Sequence, residues 1–347
     1  MPTYDTDGPV TLETLFGLPH TWDEAGVIVT PVPFDATASY RAGSARGPEA
    51  MRRASAQLDL LDPVFGEVHE VGIHMTGTTE WMPDVAKRAR ELAIPIIEEG
   101  GPTIETHGAH DELERLCAEV EGVAFHATKD VLDAGKKPVL LGGEHGVALG
   151  AIVACVEHAR DVLGAKEVGV LQLDAHRDLR DAYLGMTRSH ASVMRNALER
   201  LPEITRLVQV GIRDAGVEET AYAHALGDRV VTTLAHDLHA RLDDGERYAD
   251  LCARIVEPLP EHVYVTFDID VLEPSLCPHT GTPVPGGLSF QRAVRLLKAL
   301  ADSGRTVIGA DLVEVAPGRD GDEWDANVGM RVLYALIGCI TRSPGEE

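Results

Sequence analysis

The sequence predicts a three-layer α/β fold on a mainly parallel sheet, and three observations carry that expectation. From residue 138 onward, short β-branched runs alternate with helical stretches, the order that builds a parallel sheet with helices on both faces. The strand runs are continuously apolar, as suits strands covered on both sides. No Ser/Pro/Gly linker or low-complexity run divides the 347 residues. Residues 1–347 therefore read as a single domain, with an N-terminal extension over 1–26 and an insertion around 74–108.

In chain order, the first strand is expected at 27–32 (Val27, Ile28, Val29). A helix follows from 47 to about 61, where Pro48 suits the first turn and Glu49 the positive end of the dipole. Residues 74–108 hold a turn-rich start, a helical stretch around 83–98 and Gly100-Gly101-Pro102, with no chemical motif; surface decoration or a subunit contact is the expected role. Leu113, Leu116, Val120, Val123, Ala127 and Val131 recur at helical spacing over 110–134. Further strands are expected at 138–142, 167–173, 206–211, 229–233, 262–268 and 306–312, and further helices at 147–163, 190–200, 289–302 and 325–341.

Composition narrows the function. Lys and Arg total 31 against 56 Asp and Glu, a formal net charge of −25. Such a field repels polyanions and anionic membrane faces, which excludes a nucleic-acid binder and favours cationic ligands. Five widely spaced cysteines fit neither a disulfide framework nor a zinc ribbon. The first thirty residues hold no basic stretch followed by an apolar one, and no apolar run approaches a membrane span, so a cytoplasmic enzyme is expected.

Three clusters stand at the ends of expected strands, where open α/β sheets bind ligands. Gly142-Gly143-Glu144-His145-Gly146 presents His145 on a glycine-rich turn; Asp174-Ala175-His176-Arg177-Asp178 and Asp268-Ile269-Asp270 close two further strands. In extended chain, residues i, i+2 and i+4 share a face, so Asp174, His176 and Asp178 can converge, as can Asp268 and Asp270. Four carboxylates meeting there would repel one another without cations. The set implies one metal ion or, better, two; carboxylates with imidazoles and no thiolate suit Mn²⁺ first, with Ni²⁺, Co²⁺ or Fe²⁺ as alternatives. Such a pair lowers the pKa of a shared water for attack on an electrophilic carbon.

These clusters resemble the signature of the ureohydrolase family, which spans arginase, agmatinase, guanidinobutyrase and formiminoglutamase. The resemblance extends to Pro33-Phe34-Asp35, Ser39-Tyr40-Arg41-Ala42-Gly43, Gly211-Ile212-Arg213, Thr280-Gly281-Thr282-Pro283 and Asp311-Leu312-Val313-Glu314. It implies an arginase-like, eight-stranded sheet and a homotrimer or homohexamer. It also implies two Mn²⁺, one held by His145, Asp174, Asp178 and Asp268 and the other by Asp174, His176, Asp268 and Asp270. His190 matches the proton-shuttling histidine, Glu314 the carboxylate that pairs with a substrate guanidinium, and Asp178 is a candidate proton carrier. The reaction implied is hydrolysis of a small cationic guanidino substrate to urea and an amine.

The stretch 178–195 is most similar to prokaryotic agmatinases, which favours agmatine cleaved to putrescine and urea. A guanidino acid (4-guanidinobutanoate or 3-guanidinopropanoate), arginine and free guanidine stay open as alternatives, and Arg188 could attract the carboxylate of such an acid. Gly146, His279 and Val284 depart from the family pattern. A catalytically lapsed oligomeric scaffold is the reading from another class, although no ligand position is substituted.

Overall fold

The computed structural model describes residues 13–342; residues 1–12 of the expected extension lie outside them. Eight strands form one sheet: β1 (Val27–Val32), β2 (Ile73–Met75), β3 (Lys137–Gly142), β4 (Val168–Leu173), β5 (Ile204–Ile212), β6 (Val230–Leu234), β7 (His262–Asp268) and β8 (Thr306–Val313). Their order is β2-β1-β3-β8-β7-β4-β5-β6, and every pairing is parallel. β3, β8, β7 and β4 occupy the middle, which brings the ends of β3, β4 and β7, with their expected ligands, together although they lie far apart in the chain.

Among the described residues, ten α-helices cover the two faces: α1 (Gly47–Ala54), α2 (Met82–Glu98), α3 (His107–Asp133), α4 (Ala148–Asp161), α5 (Val193–Arg200), α6 (Val217–Ala225), α7 (Ala235–Asp243), α8 (Tyr248–Val256), α9 (Phe290–Ala301) and α10 (Trp324–Arg342). Side chains alternate along each strand. Val139, Leu141, Leu171 and Leu173 point into the core shared with α1 and α7 to α10, whereas Leu140, Val168 and Val170 point into the core shared with α2 to α6. Double-sided burial explains the unbroken apolar runs read from the sequence. Phe16, from the chain ahead of β1, packs edge-on to Tyr334 of α10, so this part of the expected extension is core.

The structure departs from expectation at the short elements. β2 has three residues and falls where a turn-rich segment was expected. α6, α7 and α8 have nine residues each, too few turns to establish a helical period in the sequence. α1 ends at Ala54, where the Ser55 hydroxyl turns back to the Arg52 carbonyl at 2.6 Å, short of the expected 61. Residues 74–108 are more than surface decoration. Met82, Ala89, Leu92, Ala93 and Ile96 of α2 are buried, and Arg90 donates to the carbonyls of Ala36 and Ala38 at 3.0 and 2.6 Å.

Candidate active site

The expected ligands gather at the C-terminal ends of β3, β4 and β7. His145 follows β3 on a tight turn, buried among acids: its Nδ1 lies 2.8 Å from Asp178 Oδ2, 3.2 Å from Asp174 Oδ2 and 3.5 Å from Asp268 Oδ2. His176 Nδ1 lies 2.9 Å from Asp270 Oδ2 and 3.6 Å from Asp174 Oδ1. Two potential metal-holding groups result, His145–Asp174–Asp268 and Asp174–His176–Asp270, joined through Asp174. All six expected ligand residues are thus in one place.

They converge by a different route from strand alternation. β4 stops at Leu173, and Asp178 sits in the left-handed region at φ 54°. Asp270 lies in a 3₁₀ turn, folded back so that its N–H donates to Asp268 Oδ1 at 2.8 Å. Turns, rather than extended chain, bring these side chains to one point.

The residues fit a divalent metal pair. His145 Nδ1 is buried and makes no well-formed hydrogen bond despite three carboxylate oxygens around it, the position of a ligand atom awaiting a cation. The other ring nitrogen, Nε2, is 2.7 Å from Thr266 Oγ1, whose hydroxyl donates to Asp311 Oδ1 at 2.8 Å. That chain makes Nε2 the protonated nitrogen and leaves Nδ1 for the metal. Burial first, then the neighbouring Asp270 and Asp174 charges, push the Asp268 carboxyl well above the usual range. Burial and Asp174 do the same for Asp178. Carboxylates held this close without Lys or Arg among them need cationic neutralisation.

A cavity of about 150 Å³ opens onto this group, lined by His145, His176, Asp178, Asp268, His190 and Glu314, and also by the half-buried Arg180 and Tyr183 and the exposed Asp214. Glu314, just past β8, holds φ 62°, and its Oε1 accepts the His145 N–H at 2.9 Å. Burial pushes its carboxyl up to about 8. Burial, then the His176 and His145 charges, push His190 down to about 4.

Several contributors had no role assigned from the sequence, although Tyr183 and Arg213 fall in stretches that carry the family resemblance. Thr37 donates its hydroxyl and its N–H to Glu144 Oε2, both at 2.9 Å, and its Oγ1 lies 3.2 Å from His190 Nδ1. The hydroxyl proton being spent on Glu144, Thr37 accepts from His190 Nδ1–H, which leaves Nε2 to carry a proton. Tyr183 stands edge-on to His190. Arg213 donates to the carbonyls of Asp270 and Val284 at 2.6 and 2.7 Å and pins the loop beside the cavity. No local motif marks Thr37, because its partners lie 107 and 153 positions away.

The departures noted in the sequence find structural reasons. A Cβ on Gly146 would meet the Arg188 carbonyl oxygen at 3.3 Å and the His190 nitrogen at 3.4 Å, so glycine allows the segment carrying His190 to pass close by. His279 is tied through Nδ1 and its N–H to the buried Asp325, at 2.8 and 2.9 Å. Val284 contributes its carbonyl to Arg213, which any residue could do. Arg188 does not line this cavity: its guanidinium is taken by Glu114 at 3.3 Å and Glu121 at 3.2 Å of α3.

Comparison with known proteins identifies the family. The sequence model of the Arginase family matches residues 25–338. The N(1)-aminopropylagmatine ureohydrolase of Thermus thermophilus is 35% identical over 322 residues, covering 91% of each chain. An agmatinase of Neisseria meningitidis is 33% identical over 311 residues, 89% of this chain and 85% of that one. Among solved structures, the agmatine ureohydrolase of Thermoplasma volcanium superimposes with a TM-score of 0.70 at 26% identity, covering 96% of this chain and 95% of that one. The chain belongs to the arginase family and is a metal-dependent amidinohydrolase.

Proposed function

We propose that the protein hydrolyses a linear guanidino compound to urea and an amine, with agmatine giving putrescine as the leading substrate. One observation carries this reading: a single cavity joins the two histidine–carboxylate groups, Glu314 and His190. His145, Asp174, Asp178 and Asp268 would hold one divalent cation and Asp174, His176, Asp268 and Asp270 the other, Mn²⁺ fitting these donors best. When bound, the ions would supply charge neutralisation and an acidified water for the attack.

The protein's own groups do the rest. Resonance makes the guanidinium carbon a poor electrophile, so the planar cation has to be held still. Glu314 has one oxygen fixed by the His145 amide and its other oxygen for the substrate N–H groups. The substrate's charge compensates a carboxylate whose ionisation burial opposes. Asp178 sits between the histidine group and the cavity, placed to take a proton from the nucleophile. His190, oriented by Thr37 and neutral at rest, takes up at Nε2 the proton that the nucleophile releases and passes it to the departing amine.

The chain's excess of acids suits a substrate with a second positive charge. With Arg188 engaged by α3, it supplies no anchor for the carboxylate of a guanidino acid. A longer polyamine, N1-aminopropylagmatine, is the second reading, favoured by the Thermus relative's named substrate and by the exposed Asp214 in the cavity lining. The test is urea release by Mn²⁺- or Ni²⁺-loaded protein from agmatine, N1-aminopropylagmatine, arginine, 4-guanidinobutanoate, 3-guanidinopropanoate and guanidine. The highest kcat/KM is expected with agmatine. A preference for either acid, arginine or guanidine overturns the substrate assignment, and no urea from any of them overturns the reaction.

A further inference from the structure

Beneath the ligands, polar side chains run across the middle of the sheet where apolar ones would be expected. Strand register places Asp311 of β8 beside Thr266 of β7, Thr266 beside Gln172 of β4, Gln172 beside Gln209 of β5, and Gln209 beside Thr232 of β6. Gln172, Gln209, Thr266 and Asp311 are each 0% exposed. Burying amides in the centre of a sheet costs free energy unless every group finds a partner. Here the amides do, and the partners lead to the site.

We propose that Gln172 is a positioning residue that fixes the carboxylate of Asp174 between the two histidine groups, and that Arg177 and Gln209 set the direction of its amide. The polarity starts at Arg177, because a guanidinium can only donate. Arg177 Nη1 donates to Gln209 Oε1 at 2.9 Å, so Gln209 Nε2 must face the other way. That Nε2 donates to Gln172 Oε1 at 2.7 Å and to the Arg177 carbonyl at 2.9 Å. With its oxygen occupied, Gln172 turns its own Nε2 to Asp174 Oδ2 at 2.8 Å and the His176 carbonyl at 3.2 Å.

The consequence lies in the lone pairs of Asp174. Each carboxylate oxygen has two. Oδ1 spends one on the His176 N–H at 2.6 Å, and Oδ2 spends one on Gln172. One remains on each oxygen, Oδ1 on the side of His176 and Oδ2 on the side of His145. The relay therefore leaves Asp174 one free lone pair for each of two cations and holds its plane between them. It does so with a neutral amide, whereas a Lys or Arg at the same point would compete with the metal for the carboxylate.

This inference rests on the metal reading of the site, and its test separates the two. Mn²⁺ binding to the metal-stripped protein is measured by calorimetry, and coupling between the two ions by electron paramagnetic resonance, alongside melting temperature. Wild type is expected to bind two Mn²⁺ per chain with a spin-coupled signal. Gln172→Met keeps length and removes the donor; Mn²⁺ affinity is expected to fall at least about tenfold, with loss of coupling. Gln209→Glu touches neither Asp174 nor a histidine, yet it puts an acceptor against Gln172 Oε1 and reverses that amide, so the same loss is expected. Wild-type protein without bound Mn²⁺ overturns both readings. Two ions bound by wild type, with unchanged affinity and coupling in either folded variant, overturn the positioning role alone. A lowered melting temperature with unchanged Mn²⁺ affinity assigns Gln172 to stability only and also overturns it.

Discussion

Asp178 and Glu314 hold φ values of 54° and 62°, a region that side chains other than glycine, Asn and Asp seldom enter. For Glu314 this costs about 1–3 kcal/mol and persists because the surroundings over-determine it, whereas Asp178 is of a type that enters the region at less cost. Both face the cavity, so local stability is spent on aiming two carboxylates. The site's residues divide by what the sequence could reveal. The six candidate ligands could be picked out because their residue types, clustered at strand ends, carry the chemistry of a metal site. Thr37 and Gln172 could not, since a threonine or glutamine gains a role only from a partner that folding supplies. The proposed roles also separate by experiment. Asp174→Ala removes the carboxylate shared by both groups, and loss of bound metal together with urea release is expected. His190→Ala should retain the metal and lower kcat by roughly 10²- to 10⁴-fold. Normal turnover in Asp174→Ala, with metal content unchanged, would refute the assignment.

Elements meet at this site with little slack. Gly146 packs against the segment 188–190, which α3 braces from the other side: Glu114 accepts the Thr187 N–H at 2.7 Å, and His110 reaches the Gly185 carbonyl at 2.9 Å. Gly146→Ser should displace His190 by a few tenths of an ångström. The expected result is a fall in kcat with bound metal unchanged, and kcat equal to wild type would show that the segment yields freely. The sheet contributes a second measurable property. Burial pushes Asp311 up from 3.8 to about 6. An acid raised in this way takes up protons on folding, so its favourable contribution is present below the unfolded pKa near 3.8 and is lost as pH rises through about 6. The shift corresponds to about 3 kcal/mol in the metal-free protein. Asp311→Asn keeps an acceptor for Thr266 and abolishes the titration. In chelator, denaturant unfolding should show the variant gaining on wild type between pH 4 and pH 7, whereas a constant difference would mean that Asp311 titrates normally.

At the scale of the molecule, the sheet was readable wherever strands are buried on both faces, because β1, β3, β4, β7 and β8 leave continuous apolar runs. β2 left no such run: it pairs with one neighbour over three residues, and two of its side chains are only partly buried. The order β3-β8-β7-β4 was not readable at all, because adjacency of strands distant in sequence leaves no local pattern. Charge is the global property that the sequence states outright, and it leads to a kinetic expectation. A net charge of −25 surrounds a cavity proposed for a cation. Such a field raises the encounter rate of a dication and is screened as the Debye length falls from about 30 Å at 0.01 M salt to about 8 Å at 0.15 M. For agmatine, kcat/KM should fall several-fold across that range, carried by KM with kcat steady. For 4-guanidinobutanoate, whose charges cancel, the change should be much smaller. Equal salt dependence for the two would locate selectivity in contacts within the cavity and remove the surrounding field from substrate capture.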